Sequence, residues 1–173
     1  MQLEQDKTLA ALQVAIKMEI DGKTFYLKAS RESGNEMGRK LFATLAGEED
    51  VHRQKFEEIY RALADKKGWP DVRYEPDKGR QLKTVFAQAM KGAAGLKVQT
   101  AEVDAVKTAL DMENKTYDYY RGQSQAATHG GEREFYEALM AQEREHAASL
   151  LDYYEFLKDP GAWFVDKEHP SLD

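Results

Sequence analysis

The sequence predicts an all-α fold: a four-helix bundle of two helical hairpins joined by a long crossover. Three observations predict it. The four prolines, Pro70, Pro76, Pro160 and Pro170, leave residues 5–65 and 98–158 free of proline. Proline breaks helix interiors, so both blocks can run as long helices. A turn signal divides each block, Ser33-Gly34-Asn35 in the first and Thr128-His129-Gly130-Gly131 in the second. Apolar residues recur at steps of three and four along both blocks, the period of a helix with one buried face.

The first helix is expected at 5–31, where Leu12, Ala15, Ile16, Glu19 and Tyr26 share a stripe. The second is expected at 36–65, carrying Phe42, Leu45, Glu49, His52, Phe56 and Ile59. Residues 66–97 hold GWPDVRYEPDKG, LKTVFAQAM and GAAG. This segment is too long for a tight turn and suits a crossover running the length of the bundle, with a short helix near Leu82–Met90. The third helix is expected at 98–127, with Val106, Ala109, Leu110, Glu113, Tyr117 and Tyr120 on its stripe. The fourth is expected at 132–158, with Tyr136, Leu139, Glu143, His146, Leu150 and Tyr153. Asp159-Pro160-Gly161 ends it, and Trp163 and Phe164 are expected to pack the 159–173 tail back onto the body. Residues 1–173 read as a single domain.

Bulk composition narrows the function. The chain has 173 residues, 42% hydrophobic and 32% charged, which suits a helical protein with a wet surface. Its net charge of −6 argues against a nucleic-acid surface. No apolar run approaches the roughly 20 residues of a membrane helix. The N-terminus has no signal-peptide stretch, so a cytoplasmic location is expected. The absence of cysteine removes disulfides, thiolate catalysis, zinc ribbons and iron–sulfur centres together. Any metal must be held by oxygen and nitrogen, and any electrons must come from another molecule.

The chemistry-bearing pattern is Glu-x-x-His, present at Glu49–His52 and at Glu143–His146, 94 residues apart. Each copy has a glutamate 30 residues upstream, Glu19 and Glu113. One Glu-x-x-His is weak, because it is usually a solvated helix pair. The doubled pattern is what a two-metal site inside a four-helix bundle needs. Glu19 and Glu49 are symmetric about position 34, and Glu113 and Glu143 about position 128. Each glutamate is then about 22 Å along its helix from the turn, so each hairpin delivers its pair at one level. His52 and His146 follow one turn on, on the same face.

Four buried carboxylates without counter-charge would be costly, and most would protonate. Two divalent cations with two neutral imidazoles bring the sum to zero, which favours two metals over one. Oxygen-rich ligation with one nitrogen per metal suits iron or manganese better than copper, and calcium or magnesium would not use the histidines. Glu48, Asp50 and Glu145 read as surface charge beside the stripes, His129 as a turn residue and His169 as a tail residue. Tyr26 and Tyr120, each seven residues after its glutamate, are either core residues or hydrogen-bonding neighbours of the metals. The remaining tyrosines, Tyr117, Tyr119, Tyr153 and Tyr154 among them, read as packing or interface.

These residues resemble the rubrerythrin-like branch of the ferritin-like superfamily. MEIDGKTFYLKAS resembles its first helix, EEDVH and EREH its two Glu-x-x-His helices, and ALDMENKTYDYY its third. The tail DPGAWFVDKEHPSLD is also similar to tails in the family. The resemblance implies that Glu49 and Glu143 bridge two irons, that Glu19 and Glu113 are terminal ligands, and that His52 and His146 each cap one metal. It also implies a homodimer or larger assembly and an external electron donor such as a rubredoxin-like protein.

The chain departs from the family pattern in two places. It lacks the four cysteines of a rubredoxin-like domain. Thr116 stands where the family has an extra glutamate three residues after the third-helix ligand, and its counterpart in the first repeat is Gly22. The resemblance therefore implies a symmetric six-ligand centre. The expected function is a di-iron oxidoreductase reducing hydrogen peroxide or O₂. The alternatives are an iron-binding protein that oxidises, buffers or delivers iron, and a dimanganese or mixed manganese–iron site acting on peroxide.

Overall fold

The computed structural model describes residues 2–72, 74, 82, 88 and 98–163. Four long helices account for most of them: α1 Gln2–Glu32, α2 Glu36–Ala64, α3 Thr100–Ala126 and α4 Gly130–Lys158. The two short breaks fall at the expected turns. Asn35 caps α2 by accepting from the Gly38 N–H at 2.9 Å. His129 caps α4 through Nδ1, which accepts from the Gly131 N–H at 3.2 Å. This cap starts α4 at Gly130, two residues ahead of the expected 132. α2 is closed by Lys66 in the left-handed region at a φ of +59°, with the Lys67 N–H donating to the Ala62 carbonyl at 3.0 Å. The short helix expected near Leu82–Met90 lies, apart from Leu82 and Gln88, outside the described residues, as do Phe164 and His169.

Packing fixes the direction of each helix. One apolar cluster joins Tyr26, Phe42 and Leu45 to Val106, Ala109, Leu150, Tyr153 and Phe156. The other joins Leu12, Ala15, Phe56 and Ile59 to Tyr120, Phe135, Tyr136 and Leu139. The C-terminal half of α1 therefore meets the N-terminal half of α3, and the N-terminal half of α1 meets the C-terminal half of α3. The two helices are antiparallel. The Gln5 side chain donates to the Leu63 carbonyl at 2.6 Å, so α2 ends beside the start of α1. α3 begins at the opposite end of the bundle. This is the ferritin-like four-helix bundle of two hairpins. Trp163 is buried and stands edge-on to Phe156 with ring centroids 5.4 Å apart, so it packs onto the body as expected.

The end of the bundle where α3 starts is clamped by a buried carboxylate. Glu102 accepts from the Ser33 and Tyr153 hydroxyls, from Asn35 Nδ2 at 3.0 Å and from the Gly34 N–H at 3.3 Å. It ties the first residues of α3 to the α1–α2 turn and to α4. Replacing Glu102 by Ala would leave several buried donors unpaired. The expected loss is about 3 kcal/mol of unfolding free energy, measured by urea titration of the metal-free protein. A change within the scatter of surface substitutions would show that the clamp is dispensable.

Candidate metal centre

Between the two apolar clusters, all six residues of the doubled pattern converge. Glu19, Glu49, His52, Glu113, Glu143 and His146 are each 4% exposed or less. They come from all four helices, at the level set by equal distance from the two turns. His52 Nδ1 lies 3.3 Å from Glu19 Oε2 and 3.5 Å from Glu143 Oε1. His146 Nδ1 lies 3.2 Å from Glu49 Oε1, 3.4 Å from Glu113 Oε2 and 3.6 Å from Glu143 Oε2. The two oxygens of Glu143 thus face different imidazoles. The imidazole rings are stacked, 5.7 Å apart and tilted by 15°.

Several of these atoms are buried without a hydrogen-bond partner: Glu19 Oε2, Glu49 Oε1, both oxygens of Glu143, and Nδ1 of both histidines. Buried polar atoms are normally satisfied, and orphans aimed at one another form a lining that a bound cation would complete. Donor atoms of Glu49, Glu113, Glu143 and His146 fall within 4.8 Å of one another, and so do those of Glu19, Glu49 and His52. Glu49 belongs to both groups. The donor set, oxygen-rich with one imidazole in each group, could hold metal and fits iron or manganese.

Tyr26 and Tyr120 are fully buried, and both hydroxyls donate to site carboxylates. Their bonds cross between hairpins: Tyr26 on α1 donates to Glu113 on α3, and Tyr120 on α3 donates to Glu19 on α1. Burial, followed by the neighbouring carboxylates, pushes both phenols well above their ordinary range, so they remain donors. The Thr116 hydroxyl donates to the Met112 carbonyl at 3.1 Å. At Gly22 an added Cβ would stand 3.0 Å from Glu49 Oε2, so glycine leaves room for that carboxylate.

Two functional neighbours do not follow from the sequence pattern. Glu48, expected at the surface, is only 13% exposed, and its Oε2 lies 2.6 Å from His146 Nε2. One residue before Glu49, it sits on the flank of the stripe that turns toward α4. Tyr74, from the start of the crossover, places its hydroxyl 2.7 Å from His52 Nε2. No helical period marks a loop residue. Gln142 and the adjacent Glu-x-x-His do form part of a visible repeat, and aligning it would have paired Glu48 with Gln142. Asp50 does lie off the site, held by Lys23 at 2.8 Å and Arg53 at 2.9 Å.

Without metal, the site balances charge with protons. Burial raises Glu19 to about 7. Burial also raises Glu49 and Glu143 well above the usual carboxylate range, reinforced by Glu19 and Glu113 respectively. Burial opposes the ionised forms of Glu113 and His146 as well, but their mutual attraction prevails: Glu113 falls to about 2 and His146 rises well above its ordinary value. Burial lowers His52 to about 4.

A carboxyl with a raised folded pKa keeps its proton after the unfolded chain has lost it. Its stabilisation is complete below the unfolded value of 4.5 and, for Glu19, is lost as pH rises toward about 7. Glu49 and Glu143 act in the same direction over a wider range. His52 acts oppositely between about 4 and 6.5, and is outnumbered. The stability of the chelated protein should therefore fall on going from about pH 5 to about pH 7, on the order of 1–3 kcal/mol per pH unit. Urea titrations across that range check this, and a flat or rising profile would contradict the assignment.

Among the described residues no helix is long and apolar enough to cross a membrane. Comparison with curated proteins and with solved structures found no match. The family model for rubrerythrin matches residues 10–154, a span that contains all four helices' site residues and both crossed tyrosines. With the ferritin-like bundle and the buried glutamate–histidine cluster already in place, this match shows that the chain belongs to the rubrerythrin family.

Proposed function

We propose that Glu19, Glu49, His52, Glu113, Glu143 and His146 hold two iron ions, and that the protein is an oxidoreductase reducing hydrogen peroxide or O₂ with electrons from a separate donor. The observation that carries this reading is the convergence of orphaned buried oxygens and nitrogens on one interior region. Glu49 belongs to both donor groups and Glu143 faces both imidazoles, which supports these two as the carboxylates the metals would share. Glu19, beside His52, and Glu113, beside His146, would then each serve a single metal. A bound pair of ferrous ions supplies two electrons in passing to the ferric state, which together with two protons is what reduction of peroxide to two waters requires.

The chain's own residues account for selectivity. The six side chains are closed to solvent, which favours an oxidant of very few atoms over an organic substrate. A cleft of about 430 Å³, lined by Trp69, Val72, Tyr74 and Phe135 among others, reaches Tyr74 but none of the six. The Tyr26 and Tyr120 hydroxyls hold Glu113 and Glu19 in single orientations. No cysteine occurs in these residues, so electrons arrive from outside them.

Mixing the anaerobic, iron-loaded protein with peroxide should oxidise it much faster than air does. Equal or slower oxidation by peroxide would leave O₂ as the oxidant. Binding of iron to the metal-free protein near pH 6 should release roughly four protons per pair, from Glu19, Glu49, Glu143 and His146. Glu143→Ala should reduce iron content from two per chain to one or none by metal analysis. Full retention of both irons in that variant would remove Glu143 from the bridge.

A further inference from the structure

The six donors repeat with near symmetry, but the groups behind the two imidazoles do not. Both histidines turn Nδ1 inward to the carboxylates and Nε2 outward. Behind His146 stands a carboxylate, Glu48, at 2.6 Å, which also accepts from Gln142 Nε2 at 2.7 Å. Behind His52 stands a neutral phenol, Tyr74, at 2.7 Å. The repeat offset of 94 residues pairs Glu48 with Gln142, so at this one place the duplication pairs an acid with an amide. Gln142 does not serve His52 in return; its amide turns to Glu48.

An imidazole that binds metal through Nδ1 carries its proton on Nε2 and donates it outward. A carboxylate acceptor makes that bond charge-assisted, roughly twice as strong as one to a neutral oxygen. It fixes the tautomer and ring orientation and increases the basicity of the inner nitrogen.

We propose that Glu48 is a positioning residue that makes the two metal positions unequal, so that the position at His146 fills before the one at His52. This rests on the two-iron reading above. Partners of this kind are worth roughly 10–100-fold in metal affinity, which sets the expected separation between the two binding steps.

The test is anaerobic titration of the full chain with ⁵⁷Fe(II), followed by Mössbauer spectroscopy and calorimetry. One equivalent should give a single quadrupole doublet, and the second equivalent should add a distinct one. Glu48→Gln, which gives this flank the amide of its counterpart, should weaken the first step by roughly 10–100-fold and bring the two steps within a few-fold of each other. Tyr74→Phe should leave the first step unchanged and weaken the second, widening the gap; this arm holds even if Glu48→Gln fails to fold. Both doublets growing together from the first addition in the wild-type protein would overturn the proposal while leaving the two-iron reading intact. An unchanged ratio of steps in folded Glu48→Gln would overturn it too. Wild-type protein that takes up no iron would overturn the two-iron reading itself.

Discussion

Four carboxylates and two imidazoles closed off from water cannot all carry their ordinary charges, and much of the interior is organised around that constraint. Among the described residues, the ion pairs of these carboxylates are with His52 and His146 alone. Neutrality is reached either by protons on Glu19, Glu49 and Glu143 with a Glu113–His146 ion pair, or by two divalent cations. Both states are electrically balanced, so the bundle can keep its packing in either. The polar layer divides the core into two apolar clusters, one on each side, and each cluster contributes one tyrosine that reaches into the layer.

The bundle's ends carry the mechanical work. Glu102 fastens α3 to the first turn, and Gln5 fastens the end of α2 to the start of α1. These contacts lie far from the six donors, so the register that brings the donors level does not rest on the donors themselves. Taking four carboxyl groups out of water together costs free energy. Packing beyond the site offsets that cost.

The helices, their turns and the six converging residues were legible in the sequence because each leaves a periodic mark. Proline-free blocks give the helices, and symmetry about positions 34 and 128 gives the level of the glutamates. Resemblance at the same residues pointed to the family that the match over residues 10–154 shows. Glu48, Tyr74 and Glu102 were not legible, each for a physical reason. Glu48 lies one step off a stripe, where a solvated charge is the commoner outcome. Tyr74 reaches the site from a segment with no helical period. Glu102 is buried by contacts with Ser33, Asn35 and Tyr153, 51 to 69 residues distant in sequence, which no local pattern encodes. The tyrosines lay between these cases: the repeat marked Tyr26 and Tyr120 as equivalent, but only the packing showed that their bonds cross.

That crossing bears on how such a chain could have come about. Each hairpin carries the hydroxyl that steadies the other hairpin's glutamate, so one hairpin alone has a tyrosine with no acceptor and a carboxylate with no donor. Two identical hairpins associating antiparallel would complete each other, and a single short gene could encode the whole centre as a symmetric pair. Joining the copies in one chain removes the need for both to stay the same. Once the symmetry is no longer enforced by identity, an acid can stand on one flank and an amide on the other.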